Sequence, residues 1–348
     1  MLRDSLQKGI IIMDSIALLC LISREKKLGE ILRKPQKLSG GLQHSMFELE
    51  TQKGHYAVKL LNPSIMRRPD ACANFRAAEA AETLAEARGL SILPAMILDG
   101  CKMQECAGRY YYLFPFFDGK AKNPKEVSLS DVIAIAEFLR DLHGIVPETQ
   151  KDISYVPPVN RFDFPKRLLD QGQHQILKRF LQIQPKIWHW KYKAHQLFSS
   201  LPHQTALCHR DLDAKNVLWK GTDFRVIDLE CMGWGNPWQE AMDSALNWCG
   251  YDDGNGDPKK FLSFWESYLG PDPKVIPHWE SLLWCRTNYL DWLEYNLERA
   301  LGSQGPEAAV LGCQQALLTL DRIDTLFTFY PEILAILQNR FPWDKCTK

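Results

Sequence analysis

The chain has 348 residues, of which 45% are hydrophobic and 24% are charged. A chain of this length can bury one large or two moderate cores, as an ordinary globular enzyme does. Lysine and arginine together number 42, as do aspartate and glutamate, so the sequence lacks the basic excess typical of proteins that bind nucleic acid or acidic membranes. The ten cysteines contain no C-x-x-C pair, and we expect neither zinc nor disulfides, in a cytoplasmic protein.

An apolar segment at residues 10–22 is interrupted only by Asp14 and Ser15. Its thirteen residues are too few to cross a bilayer, which needs about twenty. We predict instead a helix that packs on the N-terminal part of the fold. Met1 and Met13 are both candidate starts of the chain.

Residues 37–62 predict two or three short strands around turns at Ser39-Gly40-Gly41 and Gln52-Lys53-Gly54. Apolar residues alternate with others from Tyr56 onward, which is the period of a strand. Lys59 lies inside this strand, and a buried ammonium needs a partner. The alternative is an edge-strand lysine that faces water.

Residues 74–88 are rich in strong helix formers and carry Glu79, Glu82 and Glu86. These glutamates either form a solvated helix face or include the partner of Lys59. Further along, residues 110–120 predict an apolar strand that stops at the turn pair Asp118-Gly119.

The segment HRDLDAKNVLW, residues 209–219, has the spacing of the kinase catalytic loop, in which an aspartate is followed five residues later by an asparagine. Asp211 and Asn216 stand in those positions, and the apolar pair Val226-Ile227 leads into Asp228. Phosphoryl transfer needs one carboxylate to orient a hydroxyl, and it needs hard oxygen ligands to hold Mg²⁺. The alternative is that these side chains only cap turns.

Together these motifs resemble the aminoglycoside phosphotransferase and choline kinase-like family over roughly residues 37–248. Its typical blocks HGDLHPGN, IDFE or IDWE, and GDPAYDLA have the counterparts HRDLDAKN, VIDLE and GNPWQEAMD here. The resemblance implies an α+β, bilobal protein-kinase-like fold. It would have an N-lobe over residues 1–117, with an antiparallel sheet and a helix, and a mainly helical C-lobe over residues 118–348.

The resemblance also implies residue roles in a kinase that uses ATP or GTP and phosphorylates a small molecule. Asp211 would act as the base, Asn216 and Asp228 would hold Mg²⁺, and Glu230 is a weaker candidate for the metal's surroundings. The remaining roles concern the nucleotide. Lys59, in the run AVK with Ala57, would contact the phosphates, with Glu79 as its partner and Glu82 in reserve, and the Ser39-Gly40-Gly41 turn would cover the phosphates. The Pro115 carbonyl and the Phe117 N–H would bind the purine, and Phe114 would be the gatekeeper.

Two positions depart from the family pattern, since Arg210 replaces a glycine and Asp213 replaces a histidine. A protein kinase is the first alternative function, but Leu-Glu follows Asp228 where Phe-Gly is expected, and no A-P-E motif follows. A nucleotide-binding pseudokinase without turnover is the second. The oligomeric state is left open.

The C-terminal half is expected to select the acceptor. Trp284, Asn288, Trp292 and Tyr295 could share one helix face, which is more typical of a core than of a pocket. Acidic residues could hold an amine-bearing acceptor or could be solvated; they are Asp252, Asp253, Asp291 and Glu294. The polar stretch between Val146 and Leu201 resembles the family's insertion, and its centre, residues 167–198, is expected to be helical. We expect His143 to pack beneath the catalytic loop.

Overall fold

The computed structural model describes residues 14–38, 44–149, 163–273, 275–286 and 288–342. These residues form two compact units. The first contains the described residues up to Ala121 together with Lys215–Met232, and the second contains the other described residues. The boundary predicted from the sequence lies between residues 117 and 118, whereas the compact units change after Ala121, after Ala214 and after Met232.

Short strands contribute to both units. They are β1 (Gln36–Leu38), β2 (Ser45–Thr51), β3 (Gly54–Leu60), β4 (Gln104–Cys106), β5 (Arg109–Pro115), β6 (Lys120–Ala121), β7 (Ala206–Cys208), β8 (Val217–Lys220), β9 (Asp223–Val226) and β10 (Gly233–Gly235).

Helices make up most of the second unit. In chain order the α-helices are α1 (Ser15–Glu25), α2 (Pro63–Met66), α3 (Ala71–Ala87), α4 (Leu129–His143), α5 (Phe164–Asp170), α6 (His174–Leu197), α7 (Pro237–Trp248), α8 (Pro258–Leu269), α9 (Trp279–Cys285), α10 (Asn288–Ala300) and α11 (Pro306–Arg340). Across the part of the chain that the structure describes, no helix has both the length and the apolarity that a membrane crossing requires.

The first unit is built on an antiparallel sheet in the order β1-β2-β3-β5-β4. One face of the sheet is covered by α1, whose Leu18, Leu19 and Ile22 pack with Val58 and Leu113. The predicted N-terminal helix is thus confirmed for its described part. The other face carries Lys59 and Tyr112, which are opposite each other in the register of β3 and β5.

The same unit contains a second antiparallel sheet, in the order β6-β8-β9. Helix α3 spans the predicted region and buries its alanine-rich side. The antiparallel strands, this helix and the mainly helical second unit confirm the predicted α+β class. The predicted Ser39-Gly40-Gly41 turn lies outside the described residues.

In the second unit, β7 and β10 pair antiparallel, so that Cys208 is opposite Gly233 and Ala206 is opposite Gly235. The segment after β7 therefore lies beside the start of α7, where the Asn236 side chain caps the helix by accepting from the N–H groups of Trp238 and Gln239. This short ladder fixes the position of residues 209–213. The predicted helical insertion is also present, as α5 and α6.

The predicted single helix face through Trp284, Asn288, Trp292 and Tyr295 is wrong. Helix α9 ends at Cys285, and Arg286 has an extended backbone with ψ of 115° before α10 begins at Asn288. Trp284 packs with Tyr330 and Phe327 of α11, while Trp292 stacks on Tyr295. The break places Arg286 inside the unit, where it is 1% exposed.

Candidate active site

Lys59 is a buried cation of the first unit, with 8% of its surface exposed. Its ammonium donates to Asp228 Oδ1 at 2.6 Å and to Glu230 Oε2 at 2.5 Å. Burial lowers the pKa of Lys59, but the two carboxylates outweigh that effect and leave the pKa above its usual value. Lys59 is therefore a paired ammonium and not an edge-strand lysine in water.

The predicted ion pair between Lys59 and Glu79 is not formed. Glu79 Oε1 instead accepts from the Tyr112 hydroxyl at 2.8 Å and from the Met103 N–H at 3.0 Å. The reserve candidate Glu82 accepts from Lys102 at 2.6 Å and from the Ala95 N–H at 2.8 Å. Both helix glutamates thus have other donors, and the anions beside Lys59 come from the segment after β9.

His44 belongs to this cluster although no sequence motif marked it. Its Nδ1 accepts from the Asn62 N–H at 3.0 Å, and its Nε2 lies 3.4 Å from Glu230 Oε1. Burial raises the pKa of Glu230, but the hydrogen bond from His44 and the charge of Lys59 outweigh it and hold that pKa at about 2. Glu230 is therefore ionised at neutral pH.

Asn216 and Asp228 lie within the first unit, at the start of β8 and just after β9. The Asn216 carbonyl accepts from the Ile227 N–H at 2.9 Å, which ties the end of the predicted catalytic loop to the residue before Asp228. Asp228 has a left-handed backbone with φ of 63°, an uncommon conformation for a non-glycine residue. An amide and a carboxylate supply only oxygen ligands, and this donor set fits Mg²⁺.

The end of β5 carries the backbone groups that the sequence predicted for the purine. Tyr110 and Phe116 bond to β3, through Tyr110 O to Leu61 N and Phe116 N to His55 O. Because alternate residues of a strand bond to opposite sides, the Pro115 carbonyl points away from β3, as does the Leu113 carbonyl. Within the described residues, the Phe117 N–H donates no backbone hydrogen bond.

Two other residues assigned to the nucleotide have clear surroundings. Ala57 is buried and opposite Phe114 in the β3–β5 register. Phe114 packs against the cluster that includes Phe75 and Tyr112, on the Lys59 face of the sheet. Gly119 closes the strand by donating to the Phe117 carbonyl at 2.8 Å, and an added Cβ there would meet the Phe117 ring at 2.4 Å.

In the second unit, Glu240 fixes the backbone of the predicted catalytic loop. It accepts from the His209 N–H at 3.1 Å and from the Arg210 N–H, and from His143 Nε2 at 2.8 Å. His143 also shares a hydrogen bond with the Tyr268 hydroxyl at 2.7 Å. His143 thus supports the loop through Glu240, as expected. Burial raises the pKa of Glu240, but these hydrogen bonds outweigh it and leave that pKa low.

The backbone conformation of Arg210 is one that glycine adopts more easily, which accounts for the glycine usual at this position. Its φ of 68° is left-handed, a conformation that costs a side-chain-bearing residue roughly 1–2 kcal/mol. Its guanidinium donates to the Trp234 carbonyl, and its backbone N–H donates to Glu240. The strained turn is therefore held from both sides, and it carries the half-buried Asp211 next in sequence.

A cavity of about 300 Å³ adjoins Asp211 within the second unit. Asp213 lines this cavity, so the departure from histidine adds a carboxylate to it. Of the acids proposed from the sequence for an amine, only Asp252 lines it. Five carboxyl groups face two guanidinium groups among its polar lining residues, which are Asp211, Asp213, Glu240, Asp243, Asp252, Arg210, Arg286, Asn236, Gln239, Asn247, Asn288 and Tyr289.

Asp243 and Arg286 form an ion pair in this cavity that the sequence did not indicate. Arg286 Nε donates to Asp243 Oδ1 at 2.5 Å, and its guanidinium lies 5.2 Å from the centre of the Tyr289 ring. Burial raises the pKa of Asp243 to about 6 in spite of Arg286, and burial also raises that of Asp252. The two terminal nitrogens of Arg286 and one carboxyl oxygen of Asp252 have no hydrogen-bond partner among the described residues.

The model of the phosphotransferase enzyme family matches residues 34–262 of this chain. The fold is similar to that of a spectinomycin phosphotransferase solved with ADP and spectinomycin, at 14% identity and a TM-score of 0.64 over 88% of this chain and 94% of that one. It is also similar to a choline/ethanolamine kinase family protein from Mesorhizobium loti, at 16% identity and a TM-score of 0.57 over 91% and 99% of the two chains.

A third similar structure is an ethanolamine kinase from Plasmodium vivax, at 15% identity and a TM-score of 0.53 over 87% of this chain and 83% of that one. No curated protein sequence matches the chain.

Proposed function

The chain belongs to the phosphotransferase enzyme family, and we propose that it transfers the γ-phosphoryl group of ATP or GTP to a hydroxyl of a small, amine-bearing acceptor. The observation that carries the acceptor class is the cavity beside Asp211, in which carboxyl groups outnumber guanidinium groups. A surplus of carboxylates attracts a cation and repels an anion. Aminoglycosides, amino alcohols and amino sugars all provide an ammonium group together with hydroxyl groups.

In this proposal the first unit binds the nucleotide. The Pro115 carbonyl and the Phe117 N–H bind the edge of the purine, and the Ala57 and Phe114 side chains contact the ring. Lys59 has three N–H donors and uses two of them on Asp228 and Glu230, so one remains for a phosphate oxygen. Glu79 supports this face through Tyr112, and the Ser39-Gly40-Gly41 turn is assigned to the phosphates by resemblance alone.

The metal ligands in the proposal are Asn216 and Asp228, whose oxygens suit Mg²⁺. When bound there, the metal would neutralise charge on the phosphates. Asp211 orients the acceptor hydroxyl and accepts its proton, while Glu240 keeps the Asp211 loop in place. We propose a cytoplasmic protein with neither a nucleic-acid nor a membrane partner.

An acceptor screen tests the proposal. Purified protein with ATP and Mg²⁺ would be incubated with aminoglycosides, choline, ethanolamine, amino sugars, nucleosides and homoserine, and ATP consumption would be measured. We expect amine-bearing acceptors to be phosphorylated. Equal turnover with acceptors that lack an amine would contradict the assigned acceptor class.

Metal dependence is tested by thermal shift. A ligand that binds only the folded state raises the melting temperature by mass action. We expect ATP to stabilise the protein more with Mg²⁺ than with EDTA, and Asp228→Ala to remove the metal-dependent part of the shift. Equal shifts in both buffers would exclude Asn216 and Asp228 as metal ligands.

A further inference from the structure

We propose that Glu230, itself held by His44, is the residue that positions Lys59 for the nucleotide. The inference rests on the proposed function of Lys59. Glu230, in the segment after β9, thus takes the role of Lys59 partner that the sequence pattern assigned to Glu79 of α3. Glu230 and His44 are positioning residues in this scheme, because they act through Lys59 and not on the reacting atoms.

The hydrogen bonds of Glu230 distinguish an anchor from a metal ligand. Its Oε2 accepts from Lys59 at 2.5 Å, and its Oε1 faces His44 Nε2 at 3.4 Å. Both oxygens are thus engaged by the protein. Asp228, the other partner of Lys59, has to provide an oxygen to Mg²⁺ in the proposed function, so Glu230 is the anion that can stay with Lys59 throughout.

The orientation of His44 is fixed from its other side. Its Nδ1 accepts from the Asn62 N–H at 3.0 Å, and a backbone N–H can only donate. Nδ1 is therefore unprotonated, and the ring proton lies on Nε2, where it can be donated to Glu230. His44 is 7% exposed and packs edge-on against Phe75, so the ring has little freedom to turn.

Glu79 and Glu82, the two glutamates of α3 that the sequence offered as partners of Lys59, do not compete for it, because each already has two donors. Glu79 binds Tyr112 and Met103, and Glu82 binds Lys102 and Ala95. Moving Glu79 to Lys59 would leave the buried Tyr112 hydroxyl and the Met103 N–H without this acceptor, and buried polar groups without partners are costly.

The test measures ATP affinity of the full-length protein by calorimetry, once with Mg²⁺ and once with EDTA. Glu230→Gln keeps the shape of the side chain and removes the charge that holds Lys59. We expect the Kd for ATP to rise by about tenfold to a hundredfold in both buffers, which is the size of a charge-assisted hydrogen bond. Glu86→Gln, at an exposed glutamate of α3, is the matched control and should leave the Kd unchanged.

His44 provides the second arm. His44→Leu should raise the Kd in both buffers by about threefold to tenfold, since it removes the imidazole that faces the Glu230 carboxylate at 3.4 Å. His44→Gln, which retains an N–H donor, should restore part of the affinity. If Glu230→Gln does not fold, the ATP affinities of the His44 variants test the inference in its place.

Each opposing result has a distinct meaning. A rise in Kd for Glu230→Gln that occurs only with Mg²⁺ would make Glu230 a metal ligand and overturn the inference. Wild-type affinity in Glu230→Gln, together with weakened binding in Glu79→Gln, would overturn it in favour of the helix glutamate. Absence of binding of both ATP and GTP by the wild-type protein, in either buffer, would instead refute the proposed function.

Discussion

The Lys59 cluster and the cavity beside Asp211 are both partly buried and charged, yet their charges are balanced differently. In the Lys59 cluster, two carboxylates hold one ammonium, and His44 occupies the remaining oxygen of Glu230. In the cavity, carboxyl groups are in excess, and Arg286 and Asp252 retain polar atoms without partners among the described residues.

The difference matches the two substrates of the proposed reaction. A nucleotide presents the same phosphates in every turnover, so its site can be organised by the protein before binding. An acceptor has to be selected, and the polar atoms of Arg286 and Asp252 without partners among the described residues can supply the selectivity, because a ligand that pairs them gains what a wrong ligand does not.

The largest effect is expected at Asp211. Asp211→Asn keeps the size of the side chain and removes its basicity, so kcat should fall by roughly 10² to 10⁴ while ATP affinity changes little. Steady-state kinetics with an identified acceptor measure the first quantity and calorimetry the second. Near-normal turnover would mean that residues 209–216 are not the catalytic loop.

Lys59→Ala provides the contrast on the nucleotide side. It removes a contact made in both the ground state and the transition state, so the KM for ATP should rise as kcat falls. A variant that lowered kcat alone would place Lys59 outside ATP binding.

The next effect concerns the stability of the cavity wall. Arg286→Met leaves Asp243 without its ion-pair partner, and breaking a buried pair from one side costs about 3 kcal/mol of unfolding free energy. Urea denaturation of the two proteins measures the loss. The double variant Arg286→Met/Asp243→Asn should recover part of it, and failure to recover any would assign the loss to packing against Tyr289.

Spacing along the chain predicts candidate site residues only where they are close together in the sequence. Asp211, Asn216 and Asp228 lie on one short stretch of sequence, so their spacing can be recognised without knowledge of the tertiary structure. Helix α3 and strands β2, β3 and β5 also followed from local patterns, because helix propensity and strand alternation are properties of neighbouring residues.

The partners of these residues could not be predicted in the same way. Position in the helix favoured Glu79 as the partner of Lys59, with Glu82 in reserve, and only tertiary contacts show that Tyr112 and Met103 bind Glu79. The backbone break at Arg286 was concealed by an aromatic run with helical spacing, and it is this break that brings Arg286 to Asp243. The helical spacing of the aromatic residues thus disagrees with the tertiary structure at the cavity that we assign to the acceptor.

A smaller effect is expected at the end of β5. Phe117→Pro removes the backbone N–H assigned to the purine, and ATP binding should weaken by about 1–3 kcal/mol, the cost of leaving a buried partner unpaired. Phe117→Leu keeps that N–H and should bind nearly as well as the wild-type protein. Unchanged affinity in folded Phe117→Pro would move the purine contact to another residue.

The smallest effect concerns Asp243, which tests whether the surplus of carboxylates serves the acceptor. Because its pKa in the folded protein is about 6, above the ordinary value of 3.8, the carboxyl group becomes ionised between mildly acidic and neutral pH. Affinity for an amine-bearing acceptor should therefore improve by about threefold to tenfold as the pH rises through 6, while Asp243→Asn shows a flatter profile.

Stability should change in the opposite direction over the same pH range. A carboxyl group whose folded-state pKa is raised favours folding when it is protonated, so its contribution is present at low pH and is lost as the pH rises through about 6. Since the side chain is 29% exposed, solvent screens the effect, and we expect no more than about 1 kcal/mol in urea denaturation relative to Asp243→Asn. If acceptor affinity and stability both rose with pH, the ionised Asp243 carboxylate would stabilise the folded protein. The negative charge available to the acceptor would then come from Asp213 and Asp252.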